Sequence, residues 1–471
     1  MKIKKAFLIY PPTGLYMRDD RCQAPTEGMT AQPHRAPMDL AYMAASLEKV
    51  GVECRIKDYP SEKEDWENLA NDIKEISPDM LIISIITPTI KEDLKACKLA
   101  KEIRSDILTV SKGAHYMKND EEVLKEWPDL DVVIRGECEF AVSDLFLKDN
   151  LSDVPGIAYR ENGNVLKTKD RPLLENLDSL PFPARHLLNN NLYITPDTRE
   201  PIAFIHVGRG CPHKCIFCAV PAVSGHKFKI RSPESVLGEI KECLTRYKIK
   251  VFFFRSDTFT MDKKWVIKLC EMIVNEGLKI RWGTNSRVDT IDEERLGWMK
   301  KAGCWIIGFG VESGNQGMLD KMKKGITIEQ TETAVKSCKK YKIKTYLLFV
   351  LGLPWETRET AMDTIEFATK LDGDFVDFNI AYPLPGTEYY EIAKESALCD
   401  LSSLSGFDYA NPLARSFHLS TEELIGLRKK ALKSFYFRPQ YIIRTLMNIR
   451  SLRVLNSYLY SGLQLLYKSR N

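Results

Sequence analysis

Along residues 1–152, short unbroken apolar runs alternate with longer stretches whose apolar positions recur every three or four residues. Ala6 to Tyr10, Val52 to Lys57, Met80 to Ile85, Ile107 to Val110 and Val132 to Ile134 read as strands. Pro37 to Val50, Asp65 to Ile76, Lys91 to Arg104, Asp120 to Trp127 and Cys138 to Phe146 read as the helices between them. In the first helix Leu40, Met43 and Leu47 share a face, and Gly51 marks its end. Strands apolar throughout, alternating with helices, predict a parallel, doubly wound α/β sheet. Ligands on such sheets lie beyond the carboxyl ends of the strands, here Tyr10 to Thr13, Ser84 to Thr87, Gly113 to His115 and Arg135 to Glu139.

The pattern breaks over residues 153–196. Val154 to Tyr159 and Val165 to Lys167 flank Asn162-Gly163, the signature of a β-hairpin, and Leu180-Pro-Phe-Pro183 reads as an extended connector. Alternation resumes over residues 197–400, with strands predicted at Ile202 to Val207, Lys250 to Arg255, Lys279 to Asn285, Trp305 to Val311, Lys344 to Leu351 and Phe375 to Ala381. Ser232-Pro233 supplies an N-cap and a proline at the first helical position, opening a helix that runs to about Tyr247. Residues 401–471 are predicted to be a helical, basic C-terminal region.

Composition changes this picture in three places. A 471-residue chain at 44% hydrophobic has the material for two or three domains. Twelve cysteines without a secretory pattern point to the reducing cytoplasm, and nine of them, Cys54, Cys97 and Cys270 included, sit singly in apolar stretches as small core residues. The basic start Met1 to Lys5 is followed by an apolar run that stops at Pro11-Pro12, too short for a signal sequence, and no run approaches the ~20 apolar residues of a membrane span. Net charge is +4, but residues 424–471 hold ten Lys or Arg and no acid, leaving −6 for the remainder. Phe435, Tyr436, Tyr441, Ile442, Leu446, Ile449 and Leu452 recur there at helical spacing, near Arg444, Arg450 and Arg453. That pattern suits a helix on an anionic membrane surface, and equally one that packs on the preceding domain. No nucleic-acid module stands out, so no nucleic-acid partner is expected.

The chemistry gathers after the strand at Ile202 to Val207, in Gly208-Arg-Gly-Cys-Pro-His-Lys-Cys-Ile-Phe-Cys218. A strand ending in glycines lets Cys211, Cys215 and Cys218 converge on one point, and grouped thiolates mean metal or redox chemistry. Four thiolates normally complete a cubane iron-sulfur cluster; without a fourth cysteine nearby, one iron stays open. Structural zinc would need a fourth ligand, with His206 and His213 the nearby histidines, and a disulfide would leave one thiol over.

At these residues the chain resembles the radical S-adenosylmethionine (SAM) enzymes, whose C-x3-C-x2-C loop has this spacing and an aromatic before the last cysteine, as at Phe217. The preceding α/β unit resembles the cobalamin-binding domain of the cobalamin-dependent class, which includes anaerobic magnesium-protoporphyrin ester cyclases and class B methyltransferases. The resemblance implies a Rossmann-like domain followed by a partial (β/α)6 barrel, with a [4Fe-4S] cluster on Cys211, Cys215 and Cys218 and SAM on its open iron. It places Phe217, Asp257, Arg287, Glu312, Leu351 and Gly352 around SAM, with Asp257 accepting from the SAM ammonium. Glu356 falls one residue late for the adenine motif. Ser84, Thr87, Gly113, Ala114, Gly136 and Glu137 would line cobalamin. None of the seven histidines stands in D-x-H-x-x-G, the pattern of cobalt-ligating histidine, which leaves open a domain that only packs.

The activity so implied is radical methylation of an unactivated carbon in a lipophilic substrate, fed by an external one-electron donor such as flavodoxin or ferredoxin. The alternatives are radical cyclisation or rearrangement without methyl transfer, and a non-catalytic cobalamin or iron-sulfur sensor. A methylthiotransferase would carry a second three-cysteine motif, and Cys22, Cys54, Cys97 and Cys138 do not form one. The implied location is the cytoplasm, with peripheral contact at the inner membrane face through residues 424–471.

Overall fold

A computed structural model describes residues 3–19, 22–25, 35–400 and 412–447. The first sheet is built on β1 (Lys5–Tyr10), whose last five residues are buried. After a short hairpin, β2 (Tyr16–Asp19) and β3 (Cys22–Pro25), come β4 (Glu53–Asp58), β5 (Met80–Ser84), β6 (Leu108–Lys112) and β7 (Val132–Ile134). The parallel order β4-β1-β5-β6-β7 reverses direction between β1 and β5, so the crevice of this open sheet lies where Tyr10 and Ser84 end their strands. The predicted hairpin forms as β8 (Ile157–Glu161) and β9 (Asn164–Lys167), and β8 pairs antiparallel with β7, which brings the sheet to seven strands. Alternation alone does not say which edge a hairpin joins.

The second sheet runs β10 (Ile202–His206), β13 (Val251–Arg255), β14 (Arg281–Ser286), β15 (Cys304–Glu312), β16 (Lys344–Leu351) and β17 (Phe375–Ile380), all parallel and in chain order. Between the first two lies a two-residue ladder of β11 (Gly208–Arg209) and β12 (Lys229–Ile230). This is the six-stranded partial barrel. Because side chains alternate across a strand, Phe252, Phe254, Trp282, Ile307, Phe309, Leu347 and Phe349 enter the core with the outer helices, and the opposite parity lines the concave face. At the concave face Phe204, Ile202 and Val251 share a small core with Met38 and Tyr42 of the helix Met38–Glu48, so the first domain packs directly on the barrel.

The C-terminal helix Thr421–Tyr436 begins at a Ser420/Glu423 capping box and buries Leu424, Leu427, Ala431, Leu432 and Phe435. It lies along β17, which would otherwise present an open edge. Tyr436 Oη donates to Val376 O at 2.7 Å and accepts from Val376 N at 3.0 Å, and Arg428 Nε donates to Phe378 O at 2.6 Å. The basic residues Arg438 and Arg444 of the following segment pair with Asp372. Over residues 424–447 the amphipathic pattern therefore records packing on the barrel. Ile442, Ile443, Leu446 and Met447 stay exposed, and the part of the basic stretch after residue 447 lies outside the described residues. No helix among the described residues is long and apolar enough to cross a membrane.

Candidate active site

The cysteine loop is held by backbone contacts at both ends. Gly210 has φ +82°, and a Cβ there would run into Lys227 O, so only glycine fits. Its N–H donates to Asp257 Oδ2 at 2.7 Å, and Cys211 N donates to Gly225 O at 3.2 Å. Further along, Ile216 N donates to Met322 O at 3.2 Å and Ile216 O accepts from Tyr389 N at 2.9 Å. Cys211, Cys215 and Cys218 are half-buried on this frame, and the partly buried Phe217 packs against the barrel core. Burial pushes the Cys211 thiol up, and the nearby Asp257 and Cys215 add to the shift. Among the described residues no three His, Cys, Asp or Glu side chains group as ligands of a single ion. A single-ion site would require the three thiols to meet at one point. A cubane offers a separate iron to each thiolate and does not require such a meeting.

The ends of β13 to β16 surround this loop. Arg287 is buried, with Nε and Nη2 each 2.9 Å from Asp289 and Nη2 also 2.9 Å from Lys324 O. Glu312 takes the left-handed backbone region at φ 67°, uncommon for a non-glycine residue, and its Oε1 lies 2.6 Å from Lys324 Nζ in a buried ion pair. A Cβ at Gly310 would strike both partners of that pair. Leu351 is fully buried and Gly352 turns at φ +83°. The late Glu356 is buried and holds the same turn, accepting from Gly352 N at 3.3 Å and from Thr360 Oγ1 at 2.5 Å. Asp257 thus braces the cysteine loop, and Lys324, which sequence reasoning missed, joins Glu312 and Arg287 beside it. Its signal was faint, a lysine in a Lys323-Lys-Gly325 turn that looks solvated.

Opposite stands the crevice end of the first domain. A cleft of about 110 Å³ is lined from that side by Asp39, Lys112, Gly136 and Glu137 and from the barrel side by His206, Arg209, Arg255 and Asp257. Asp39 accepts from Ser84 Oγ and Tyr10 Oη, each at 2.6 Å, and pairs with Lys112 at 2.5 Å; against the upward push of burial, the Lys112 charge and these hydrogen bonds hold its carboxyl below the usual range. Glu137 and Glu139 both pair with Arg209 of the cysteine loop. Of the six expected cobalamin residues, Gly136 and Glu137 line the cleft and Ser84 reaches it through Asp39. Thr87 is buried against Gln23 and His115, and a Cβ at Gly113 would strike Ile85; Ala114 is half-buried next to it. His115 has Thr87 Oγ1 and Asn119 Nδ2 at its two ring nitrogens, and burial pushes its pKa down to about 4. Asp39, Lys112 and Arg209 were the residues missed here. Lys112 was legible in principle, as a cation closing an apolar strand.

The donor set fits an iron-sulfur cluster facing a polar cofactor. Three thiols stand on a braced loop, His213 Nε2 in that loop is buried with no hydrogen-bond partner, and Lys229 Nζ beside the cleft is in the same condition, with Glu137 at 3.8 Å. Buried polar groups of this kind call for a hydrogen-bonding partner.

Residues 205–368 match the Radical SAM superfamily and residues 30–146 the B12 binding domain. The fold and the cysteine loop therefore define a radical SAM enzyme. The chain is 34% identical over 448 residues to an uncharacterized methyltransferase of Pyrococcus horikoshii, covering 94% of this chain and 95% of the relative. It is 27% identical over 414 residues to an anaerobic magnesium-protoporphyrin IX monomethyl ester cyclase of Cereibacter sphaeroides, covering 85% and 67%. The solved structure of TsrM from Kitasatospora setae, a radical SAM methyltransferase with cobalamin and a [4Fe-4S] cluster bound, superposes with a TM-score of 0.68 at 18% identity, covering 84% of this chain and 79% of that one. OxsB, a cobalamin-dependent SAM radical enzyme, gives 0.68 at 14% identity, covering 100% and 72%. The chain belongs to the cobalamin-binding radical SAM enzymes, and its cofactors are a [4Fe-4S] cluster, SAM and cobalamin.

Proposed function

We propose that the protein methylates an unactivated carbon of a lipophilic substrate, with Cys211, Cys215 and Cys218 as the cluster ligands. When bound, the cluster and cobalamin supply one-electron cleavage of SAM and delivery of a methyl group. The observation that carries the reading is the placement of the cleft: the cysteine loop and the crevice of the first domain open on the same space, with Arg209 spanning them. The three thiols must lose their protons to ligate iron, and Asp257 keeps the loop in the shape that presents them. Glu312 and Lys324 present one acid and one base beside Cys215, complementary to the ammonium and carboxylate of SAM. Phe217, Arg287, Leu351 and Gly352 complete the wall on which SAM is positioned. Gly136 and Glu137 would hold the cobalamin edge, with Ser84, Thr87, Gly113 and Ala114 behind them.

An apolar slot supports a lipophilic substrate. Phe204, Phe253, Trp305, Ile306 and Tyr346 line it on the concave face, closed by Thr195 and Pro196 of the connector. It shares Arg35 and Phe204 with a second space lined by His206, Arg255 and Lys112, and those last three also line the cleft. An apolar group in the slot would leave a polar end near Arg255. Contact with a membrane surface would follow from the exposed Ile442, Ile443, Leu446 and Met447. Flotation with anionic liposomes tests that contact; no binding by the full chain, or binding unchanged in a chain ending at residue 441, refutes it.

Radical cyclisation without methyl transfer is the second reading, favoured by the similarity to the magnesium-protoporphyrin ester cyclase. Product mass separates the two. Reconstituted enzyme given SAM and a lipophilic extract yields a product heavier by one CH2 unit if it methylates; a product without added carbon supports cyclisation.

A further inference from the structure

We infer that the amino end of the barrel, where its helices turn back into the strands, is the face that rests on an anionic lipid bilayer. The inference extends the membrane contact proposed for Ile442, Ile443, Leu446 and Met447, and rests on that reading for its apolar part. Because β10 and β13 to β17 are all parallel, every such turn lies at one end of the barrel, away from the cysteine loop that follows β10. Residues 197–201, 246–250, 276–281, 300–303, 339–344 and 370–374 lead into these six strands. They hold thirteen Lys or Arg and five acids, Asp197, Glu200, Glu276, Asp372 and Asp374. Three more acids reach the cations from the flanks, Glu242 to Arg246, Glu293 to Lys340 and Glu332 to Lys370. With all eight acids counted, the described turns keep an excess of five positive charges, in a chain whose total is +4. One helical turn further back, Glu271 and Glu366 are balanced by Lys241 and Lys336. A helix C-terminus attracts lysine by itself, which accounts for Lys300, Lys301 and Lys370. It does not account for Lys248, Lys250, Lys279 and Lys342, which stand exposed beyond helix ends at Arg246, Asn275 and Lys340.

The exposed apolar side chains belong to the same end. Helix Pro439–Met447 is fastened there by Arg438 Nη1 to Thr369 O at 2.7 Å, Tyr441 Oη to Asp374 O at 2.9 Å and Arg444 Nη2 to Gly373 O at 3.0 Å. With Tyr441 turned inward, Ile442, Ile443, Leu446 and Met447 are left between 41% and 80% exposed, and Val274 at the end of the helix Lys263–Asn275 is exposed as well. A nucleic-acid backbone would engage the cations and leave these side chains in water. A bilayer takes both, phosphate headgroups on the lysines and acyl chains around the aliphatic groups. The apolar slot reaches this end too. Ile202 and Trp305 lie at the starts of β10 and β15, and Thr195 and Pro196 of the connector close the slot. Next to them Asp197 pairs with Arg281, whose guanidinium lies 3.7 Å from the Trp305 ring centroid. A lipophilic substrate drawn from the bilayer therefore meets the barrel where only the connector separates lipid from slot.

The test is co-flotation of the full chain with vesicles of phosphatidylcholine alone, and of phosphatidylcholine with about one-third phosphatidylglycerol. The chain should float with the anionic vesicles and lose about tenfold in partition between about 50 and 500 mM salt. Lys248→Glu with Lys279→Glu and Lys342→Glu should cost about tenfold or more at low salt. Lys49→Glu with Lys74→Glu and Lys125→Glu makes the same charge change at exposed positions of the first domain and should cost less than about twofold. Equal losses in the two triple variants overturn the barrel face. A loss with Ile443→Asp plus Met447→Asp and none with the barrel triple keeps the helix contact and overturns the face. The reverse result upholds the face and fails the helix contact. If the dependence on the three barrel lysines vanishes in a chain ending at residue 447, the binding belongs to the residues beyond it and the face is overturned. Capture of an oligonucleotide duplex without any flotation overturns it likewise.

Discussion

Lys324 and Glu312 show how much of this site depends on single buried groups. Each is below one-tenth exposed and each is the other's partner at 2.6 Å. Removing one charge strands the other, so Lys324→Met should cost about 3 kcal/mol of stability or more, and the double change Lys324→Met with Glu312→Gln should recover part of it. Denaturant unfolding of the apo chain checks both, apart from any cofactor. Glu356 gives a pH-dependent counterpart. Burial pushes its carboxyl from an ordinary 4.5 up to about 7, so the folded chain keeps a proton that the unfolded chain has released. The stability it contributes is complete below about 4.5 and is lost as pH rises through 7. Glu356→Gln should flatten that decline in unfolding curves recorded between pH 4.5 and 7.5; an unchanged slope would assign the decline elsewhere. Residues such as these divide what the sequence discloses from what it withholds. Cys211, Cys215 and Cys218 were legible because their spacing is local, and Asp257 because it closes an apolar strand. That Asp257 braces Gly210, and that Lys324 turns inward, depends on contacts 47 and 12 residues apart, which no local pattern encodes.

At the scale of elements the alternation of apolar runs and amphipathic stretches located every parallel strand to within a few residues, because burial on both faces leaves an unbroken signal. The short β2–β3 hairpin was not foreseen; four-residue strands with polar members such as Arg18 and Gln23 carry no such signal. The helix Thr421–Tyr436 was legible as amphipathic, but its partner was not, since a lipid surface and a sheet edge demand the same face. The edge contact makes a prediction. Tyr436→Phe removes the hydroxyl that serves both Val376 N and Val376 O, and should destabilise the chain by about 1–2 kcal/mol and raise amide exchange at Val376. Exchange at Val376 that stays as slow as in the parent would show that β17 needs no such cover.

Over the whole molecule, function resides in the meeting of two sheets. The 2-1-3-4-5 order of the first domain puts its crevice at the β1/β5 switch point, and the barrel puts its cysteine loop beyond β10, so both carboxyl ends face one cleft. Arg209 ties them, pairing from the cysteine loop with Glu137 and Glu139 of the first domain. The measurement that bears most directly on this account is anaerobic reconstitution with iron, sulfide and hydroxocobalamin, followed by a count of each per chain for the parent and for the Cys211→Ala, Cys215→Ala, Cys218→Ala triple variant. The account predicts about one cobalamin and one [4Fe-4S] cluster on the parent, and cobalamin without iron on the variant. A parent that retains a SAM-cleaving cluster but no cobalamin, or a variant that keeps its iron, would contradict it.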